Sequence, residues 1–187
     1  QYEISRRMTS GKRYRRRGKG SDKSFGGEVV TYDEFLRNKL VMVEDAGFEF
    51  PPGELNKNLL PFQRDIVQWS LRKGRSAVFA DCGLGKTLMQ LEWGRRVAEH
   101  TGGKILLLAP LAVSQQTLAE AEKFNIPNVR VVENQRQCSD GINVTNYEKL
   151  HKFDPESFSG VILDESSILK SLDGKTRKMI TEAFSLT

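Results

Sequence analysis

From Ser76 onward, short apolar runs alternate with stretches of helical periodicity. The runs are Ala77-Val78-Phe79, Ile105–Leu108, Val129–Val132, Ile142–Val144 and Val161–Leu163, each of a length suited to a strand buried on both faces. Between them Lys86–His100, Val113–Phe124 and Asn146–Phe153 read as helices, and Lys175–Phe184 reads as one more. Ser185-Leu186-Thr187 reads as the start of a further strand. This alternation predicts an α/β fold, a parallel sheet with helices on both faces. Upstream, Pro61 suits the first turn of a helix over 61–73, where its missing amide is not needed. Phe62, Ile66, Val67, Ser70 and Leu71 give that helix one packing face, and Trp69 and Trp93, each on an expected helix, are expected in the core rather than as base-stacking platforms. Thr31 and Glu34 fit a capping box for a short helix to about Lys39, and Pro51-Pro52-Gly53 interrupts the chain after it.

Composition changes this picture at one end only. The 187 residues are 38% hydrophobic and 28% charged, which supports a buried core and excludes collagen, coiled coil and global disorder. The formal net charge of +5 is unevenly placed. Residues 1–27 hold nine Lys/Arg (Arg6, Arg7, Lys12, Arg13, Arg15, Arg16, Arg17, Lys19, Lys23) against Glu3 and Asp22, so residues 28–187 hold 20 basic and 22 acidic side chains, a net of −2. The leader nearly lacks aliphatic residues and cannot offset its ordering entropy, so it is expected to be disordered. It is either a solvated tail or an arm that binds phosphates and stacks bases through its cations, Tyr2 and Tyr14.

The expected organisation is a basic leader over 1–27, a short helical and loop extension over 28–58, and the α/β domain over 59–187. A first residue of Gln rather than Met points to a fragment or a processed product. No apolar run approaches the ~20 residues that cross a bilayer, so no membrane partner is expected. Cys82 and Cys138 make no disulfide framework, which favours a reducing compartment: a cytoplasmic protein, nucleoid-associated or phage-encoded. His100 and His151 have neither ligand spacing nor an acidic or cysteine cluster, which argues against a histidine-based metal or catalytic centre.

The strongest chemical signal is Ala80-Asp81-Cys82-Gly83-Leu84-Gly85-Lys86-Thr87, placed after an expected strand and opening an expected helix. Glycines let backbone amides turn towards one point, and a helix N-terminus adds partial positive charge, so Gly83, Leu84, Gly85, Lys86, Thr87 and Leu88 suit the phosphates of ATP. Lys86 is the side chain to reach the β- and γ-phosphates, and the Thr87 hydroxyl is a ligand for Mg²⁺. Cys82 is a small filler in this loop, open to alkylation. The second signal is Gly160-Val161-Ile162-Leu163-Asp164-Glu165, an apolar strand that delivers two carboxylates to the sheet's carboxyl edge. Asp164 suits Mg²⁺, directly or through water, and Glu165 suits the orientation or deprotonation of an attacking water.

With these motifs in place, the chain from about Leu59 to Thr187 resembles the first RecA-like motor domain of superfamily-two DEAD/DEAH-like helicases, and most the Swi/Snf-type ATPases with their phage and bacterial relatives. AxxGxGKT is similar to that family's motif I, with Ala80 where the first Gly is usual. Asp164-Glu165-Ser166-Ser167 resembles motif II, with Ser167 where relatives have His, which puts the coupling to motif III in doubt. Leu60-Pro61-Phe62-Gln63-Arg64-Asp65 resembles the adenine-reading segment, which implies that Gln63 binds the base. Leu108–Gln116 resembles motif Ia, Val144–Glu148 the Thr-Tyr-Glu segment after it, and Ile168–Ser171 the stretch after motif II. The resemblance implies that nucleic acid, DNA above RNA, meets Pro110, Ser114, Gln115, Thr145 and Asn146; a plain helix cap at Ser114 is the alternative there. It also implies that this chain stops where motif III begins and lacks the second RecA-like domain with its arginine fingers, so that the chain alone binds ATP better than it hydrolyses it.

Three functions remain open on these residues. The first is an ATP-dependent helicase or translocase. The second is the P-loop motor subunit of a restriction-type system or another non-helicase ATPase. The third is a non-enzymatic nucleic-acid-binding piece led by its basic tail.

Overall fold

A computed structural model describes residues 45–165 together with Ile180, all within one compact unit, Val43–Thr187. The leader, the capped helix at 31–39, the tail of motif II from Ser166, the helix at 175–184 apart from Ile180, and the strand at 185–187 lie outside the described residues. Within them the helices are Pro61–Lys73 (α1), Lys86–Thr101 (α2) and Ser114–Lys123 (α3). The strands are Lys104–Leu108 (β1), Val129–Val131 (β2), Gly141–Thr145 (β3) and Gly160–Leu163 (β4). All four pair in parallel, in the order β2-β3-β1-β4, as the strand–helix alternation requires. The stretch 146–153 expected as an α-helix is instead a 3-10 helix over Tyr147–Lys152, capped by Asn146.

Period-two alternation splits the core between the faces of β1. Ile105 and Leu107 pack with Val67, Leu71, Leu88, Leu91 and Ile162 on the face that carries the helices. Leu106 and Leu108 turn to the other face, against Tyr147, Leu150, Phe153, Phe158 and Ile180. Each fully buried leucine contributes roughly 1.5–3 kcal/mol, so the four-residue run Ile105–Leu108 is the natural centre of the fold. On α2, Gly94 lets the helix lie close to the sheet: a Cβ there would meet the Cδ1 atoms of Ile142 and Ile162 at 3.0 and 3.1 Å.

Two expectations of burial differ from the structure. The buried stripe of α1 is Gln63, Val67, Ser70 and Leu71, whereas Phe62 is 41% exposed and Trp69 39% exposed. Gln63 supplies a polar tether at the helix start, which rotates Phe62 and Trp69 outward; Trp93, by contrast, packs against the core. The run Ala77–Phe79 is not a strand, and Phe79 is 94% exposed. Apolar composition does not make a strand without a partner, and among the described residues β4 pairs only with β1.

Residues 45–58, expected as an extension, pack onto the body. Phe48 stacks on His100 with ring centroids 3.8 Å apart, and Arg96 lies 4.5 Å over the ring of Phe50. Glu92, fully buried on α2, gathers this segment: its Oε1 accepts from the Asn56 amide at 3.0 Å and from Arg95 and Arg96 at 2.9 Å each. Asn56 also donates its side-chain amide to Phe124 O at 2.8 Å, at the end of α3. Removing one member of a buried ion pair leaves the other charge uncompensated. Glu92→Ala is therefore expected to lower unfolding stability by about 3 kcal/mol, measured as a fall in the urea midpoint. An unchanged midpoint would contradict the role given to this carboxylate.

Candidate nucleotide-binding site

The loop Asp81–Gly85 turns through two left-handed glycines, Gly83 at φ 81° and Gly85 at φ 72°, and α2 begins at Lys86. No side chain caps that helix start, so the first amides of α2 are left for another acceptor. Lys86 turns its ammonium back on the loop, donating to Ala80 O at 2.9 Å and Asp81 O at 3.3 Å. Gln63 ties the loop to α1: its Oε1 accepts from Leu60 N at 2.8 Å and its Nε2 donates to Leu84 O at 2.8 Å. A Cβ on Gly85 would come 2.5 Å from that Nε2 and displace the Gln63 amide, and the φ of 72° itself favours glycine.

The parallel register brings the second motif to the same place. Leu108 is opposite Thr145 on one side and Leu163 on the other, so Ala109, Asn146 and Asp164 leave the sheet side by side. Two bonds extend the ladder past the strand ends, Ala109 N to Thr145 O at 3.0 Å and Asp164 N to Leu108 O at 2.9 Å. Gln90 Nε2 on α2 then donates to Asp164 Oδ1 at 2.8 Å. Thr87 and Gln90 are three residues apart and share a helix face, so this bond ties Asp164 to the face of α2 on which Thr87 also lies. Tyr147, beyond β3, donates its hydroxyl to Asp164 O at 2.6 Å. Burial, with the nearby charges of Asp164 and Glu165, pushes the Tyr147 phenol well above the ordinary tyrosine range. Glu165 follows in an exposed turn at φ 50°, a left-handed conformation that costs a non-glycine residue roughly 1–2 kcal/mol.

Asp164 is thus joined to α2 through Gln90, which lies outside the motifs, and to the end of β3 through Tyr147, which lies within the segment Val144–Glu148. Gln90 lies 74 positions from Asp164 and Tyr147 lies 17 from it, so neither contact has a local signature. The residues expected to meet nucleic acid also gather at the carboxyl edge, with unequal exposure. Gln115 is exposed and Pro110 half-buried, whereas Ser114, Thr145 and Asn146 are buried. Ser114 is the first residue of α3 and does not cap it. The Thr145 hydroxyl has no hydrogen-bond partner, and Asn146 Oδ1 accepts from Lys149 N at 3.0 Å. His100 is stacked on Phe48, His151 Nδ1 lies 2.9 Å from Glu148 O, and Cys82 is exposed. No described helix is long and apolar enough to cross a membrane.

No family profile matches the chain. It is 32% identical to the SWI/SNF-related matrix-associated actin-dependent regulator of chromatin subfamily A-like protein 1 of Xenopus laevis, an alignment that covers 71% of this chain and 15% of the relative. It is 29% identical to the mouse (Mus musculus) DNA annealing helicase and endonuclease ZRANB3, covering 71% of this chain and 14% of the relative. The chain therefore spans about a seventh of the length of the curated relatives it matches. Among solved structures, the UvsW helicase from bacteriophage T4 shares the fold with a TM-score of 0.57 at 18% identity, over 83% of this chain and 57% of that one.

The raised Tyr147 pKa carries a pH dependence. The unfolded chain loses this proton near pH 10, whereas the folded chain retains it, so the stabilisation is complete below about pH 10 and is lost as pH rises further. Between pH 10 and 11 the wild type is expected to lose about 1 kcal/mol more than Tyr147→Phe in urea unfolding. Parallel curves for the two proteins would contradict the buried-phenol description.

Proposed function

Because the chain belongs to the motor domains of the superfamily-two helicases, we propose that it is the ATP-binding half of a nucleic-acid motor, a helicase or translocase that acts on double-stranded DNA. The reading rests most on the bond from Gln90 to Asp164, which sets the carboxylate after β4 beside the first turns of α2. DNA, rather than RNA, is favoured by the name of the ZRANB3 relatives, DNA annealing helicases.

The residues fit a magnesium–nucleotide. The α2 amides lack a capping side chain, Gly83 has open space where a Cβ would project, and Gln90 engages Oδ1 of Asp164 rather than Oδ2. The backbone amides over Gly83, Leu84, Gly85, Lys86, Thr87 and Leu88 bind the phosphate oxygens. Lys86 exchanges its two carbonyl partners for the β- and γ-phosphates, which as anions compete well for an ammonium. Thr87 and Asp164 hold the Mg²⁺, which when bound neutralises charge that develops on the phosphoryl oxygens. Glu165, in the exposed turn after Asp164, orients or deprotonates the attacking water. Gln63 exchanges Leu84 O for the adenine edge. Pro110, Ser114, Gln115, Thr145 and Asn146 lie along the DNA side. Full hydrolysis requires a second RecA-like domain whose arginines complete the phosphate site, a contribution of about 10³–10⁵ in related chemistry.

Cys82 gives a direct test, since it is exposed within the loop. Mg–ATP is expected to slow its alkylation by iodoacetamide severalfold, with Cys138 as the internal reference, and Lys86→Ala is expected to abolish that protection. Equal alkylation rates with and without Mg–ATP in the wild type would overturn the reading.

A further inference from the structure

We propose that Gln90 and Tyr147 are positioning residues for Asp164, and that together they set how strongly magnesium reinforces nucleotide binding. The inference rests on the nucleotide-site reading above and extends it to two further side chains, Gln90, which lies outside the motifs, and Tyr147, which lies within the segment Val144–Glu148.

Asp164 is the first residue after β4, where a strand end would otherwise leave its backbone and side chain free to turn. Three elements remove that freedom. Leu108 O takes its amide at 2.9 Å, Tyr147 Oη donates to its carbonyl at 2.6 Å, and Gln90 Nε2 donates to Oδ1 at 2.8 Å. The first bond continues the sheet ladder and serves any residue at this position. The other two come from side chains: Gln90, and Tyr147, whose ring is part of the core while its hydroxyl is given to Asp164. Gln90 sits on α2 one turn beyond Thr87, and its bond to one carboxylate oxygen holds that oxygen towards the helix. Tyr147 is 4% exposed, and its hydroxyl spans from the end of β3 to Asp164 beneath the turn that carries Glu165.

This arrangement has a chemical consequence. A carboxylate that ligates magnesium, directly or through water, does so well when it is already held in place, because no rotamer freedom is lost on binding. Gln90 consumes one lone pair of Oδ1 and leaves the rest of the carboxylate oriented. Tyr147 does the same for the peptide unit, and it also ties Asp164 to the Thr145–Asn146 segment. A ligand that displaced that segment would shift the Tyr147 hydroxyl and so loosen Asp164. The route from the sheet edge to the metal ligand is one side chain long.

The test is a magnesium linkage measured on the full 187-residue chain. The affinity for a fluorescent ADP analogue is determined in EDTA and in saturating Mg²⁺, and the ratio of the two is the readout. In Gln90→Ala and in Tyr147→Phe the ratio is expected to fall by about tenfold, the usual effect of losing a partner to a metal ligand, while the EDTA affinity stays at the wild-type value. Gln90→Asn, with the same amide on a shorter stem, is expected to recover part of the ratio. A purely structural loss would lower both affinities together and leave the ratio unchanged, and that outcome would overturn the inference. If the ratio collapses in Asp164→Ala but not in the Gln90 or Tyr147 variants, the inference fails and the nucleotide-site reading stands. If the wild type shows no magnesium linkage at all, the reading itself fails.

Discussion

The fixing of Asp164 from three sides is the constraint on which the rest of the site depends. The chain must bring a helix start, a strand end and a turn after another strand to one point, and each contributes one hydrogen bond to that residue. Only the parallel register makes this possible. Because Leu108 pairs with both Thr145 and Leu163, the residues that follow all three strands emerge at one level. A shift of one residue in β4 would turn Asp164 to the opposite face and break all three bonds. The buried run Ile105–Leu108 therefore serves the site as well as the core, because its pairing with β3 and β4 sets the level at which those strands end.

A second balance operates in the loop between Ala80 and Lys86. Its internal bonds are of the kind a ligand can replace: a neutral amide on Leu84 O, worth about 1 kcal/mol net, and an ammonium on two carbonyls, worth somewhat more. For the proposed phosphate ligand, the oxygens would be stronger acceptors for Lys86 than a carbonyl, and the uncapped α2 amides would gain partners at the same time. The loop is thus satisfied without a ligand, yet it would give up little on binding one. Gln63 gives this exchange a link to α1, because releasing Leu84 frees one half of an amide whose other half still holds Leu60.

Much of this was legible in the sequence, for reasons that can be named. Four of the five apolar runs are strands because each has a parallel partner for its backbone, even β2, whose Arg130 and Val131 are exposed, and the turn into α2 was legible because Gly83 and Gly85 permit its positive φ. Phe79 misled because composition reports what a residue would like to bury, whereas a strand needs a partner, which no described segment provides. Trp69 misled for a related reason: the polar tether of Gln63 decides which face of α1 turns inward. Glu92 and Gln90, and the contact that Tyr147 makes from within the segment Val144–Glu148, were invisible for a different reason. Each is an ordinary residue on a helix or a turn, and its meaning comes from a partner far away in the chain, Asn56 for Glu92 and Asp164 for the other two. Motif reading finds residues that touch a ligand more readily than residues that hold those in place.

The most direct measurement is a crystal structure of the chain with Mg–ADP. The expected result has the phosphates on the amides of Gly83–Leu88, Lys86 turned away from Ala80 and Asp81, and the magnesium about 2.1 Å from Thr87 Oγ1 with Asp164 in its coordination sphere directly or through one water. In the same structure Gln90 and Tyr147 should still hold Asp164. A nucleotide bound elsewhere, or a magnesium whose ligands leave out both Thr87 and Asp164, would contradict the claim that these two motifs form a single site.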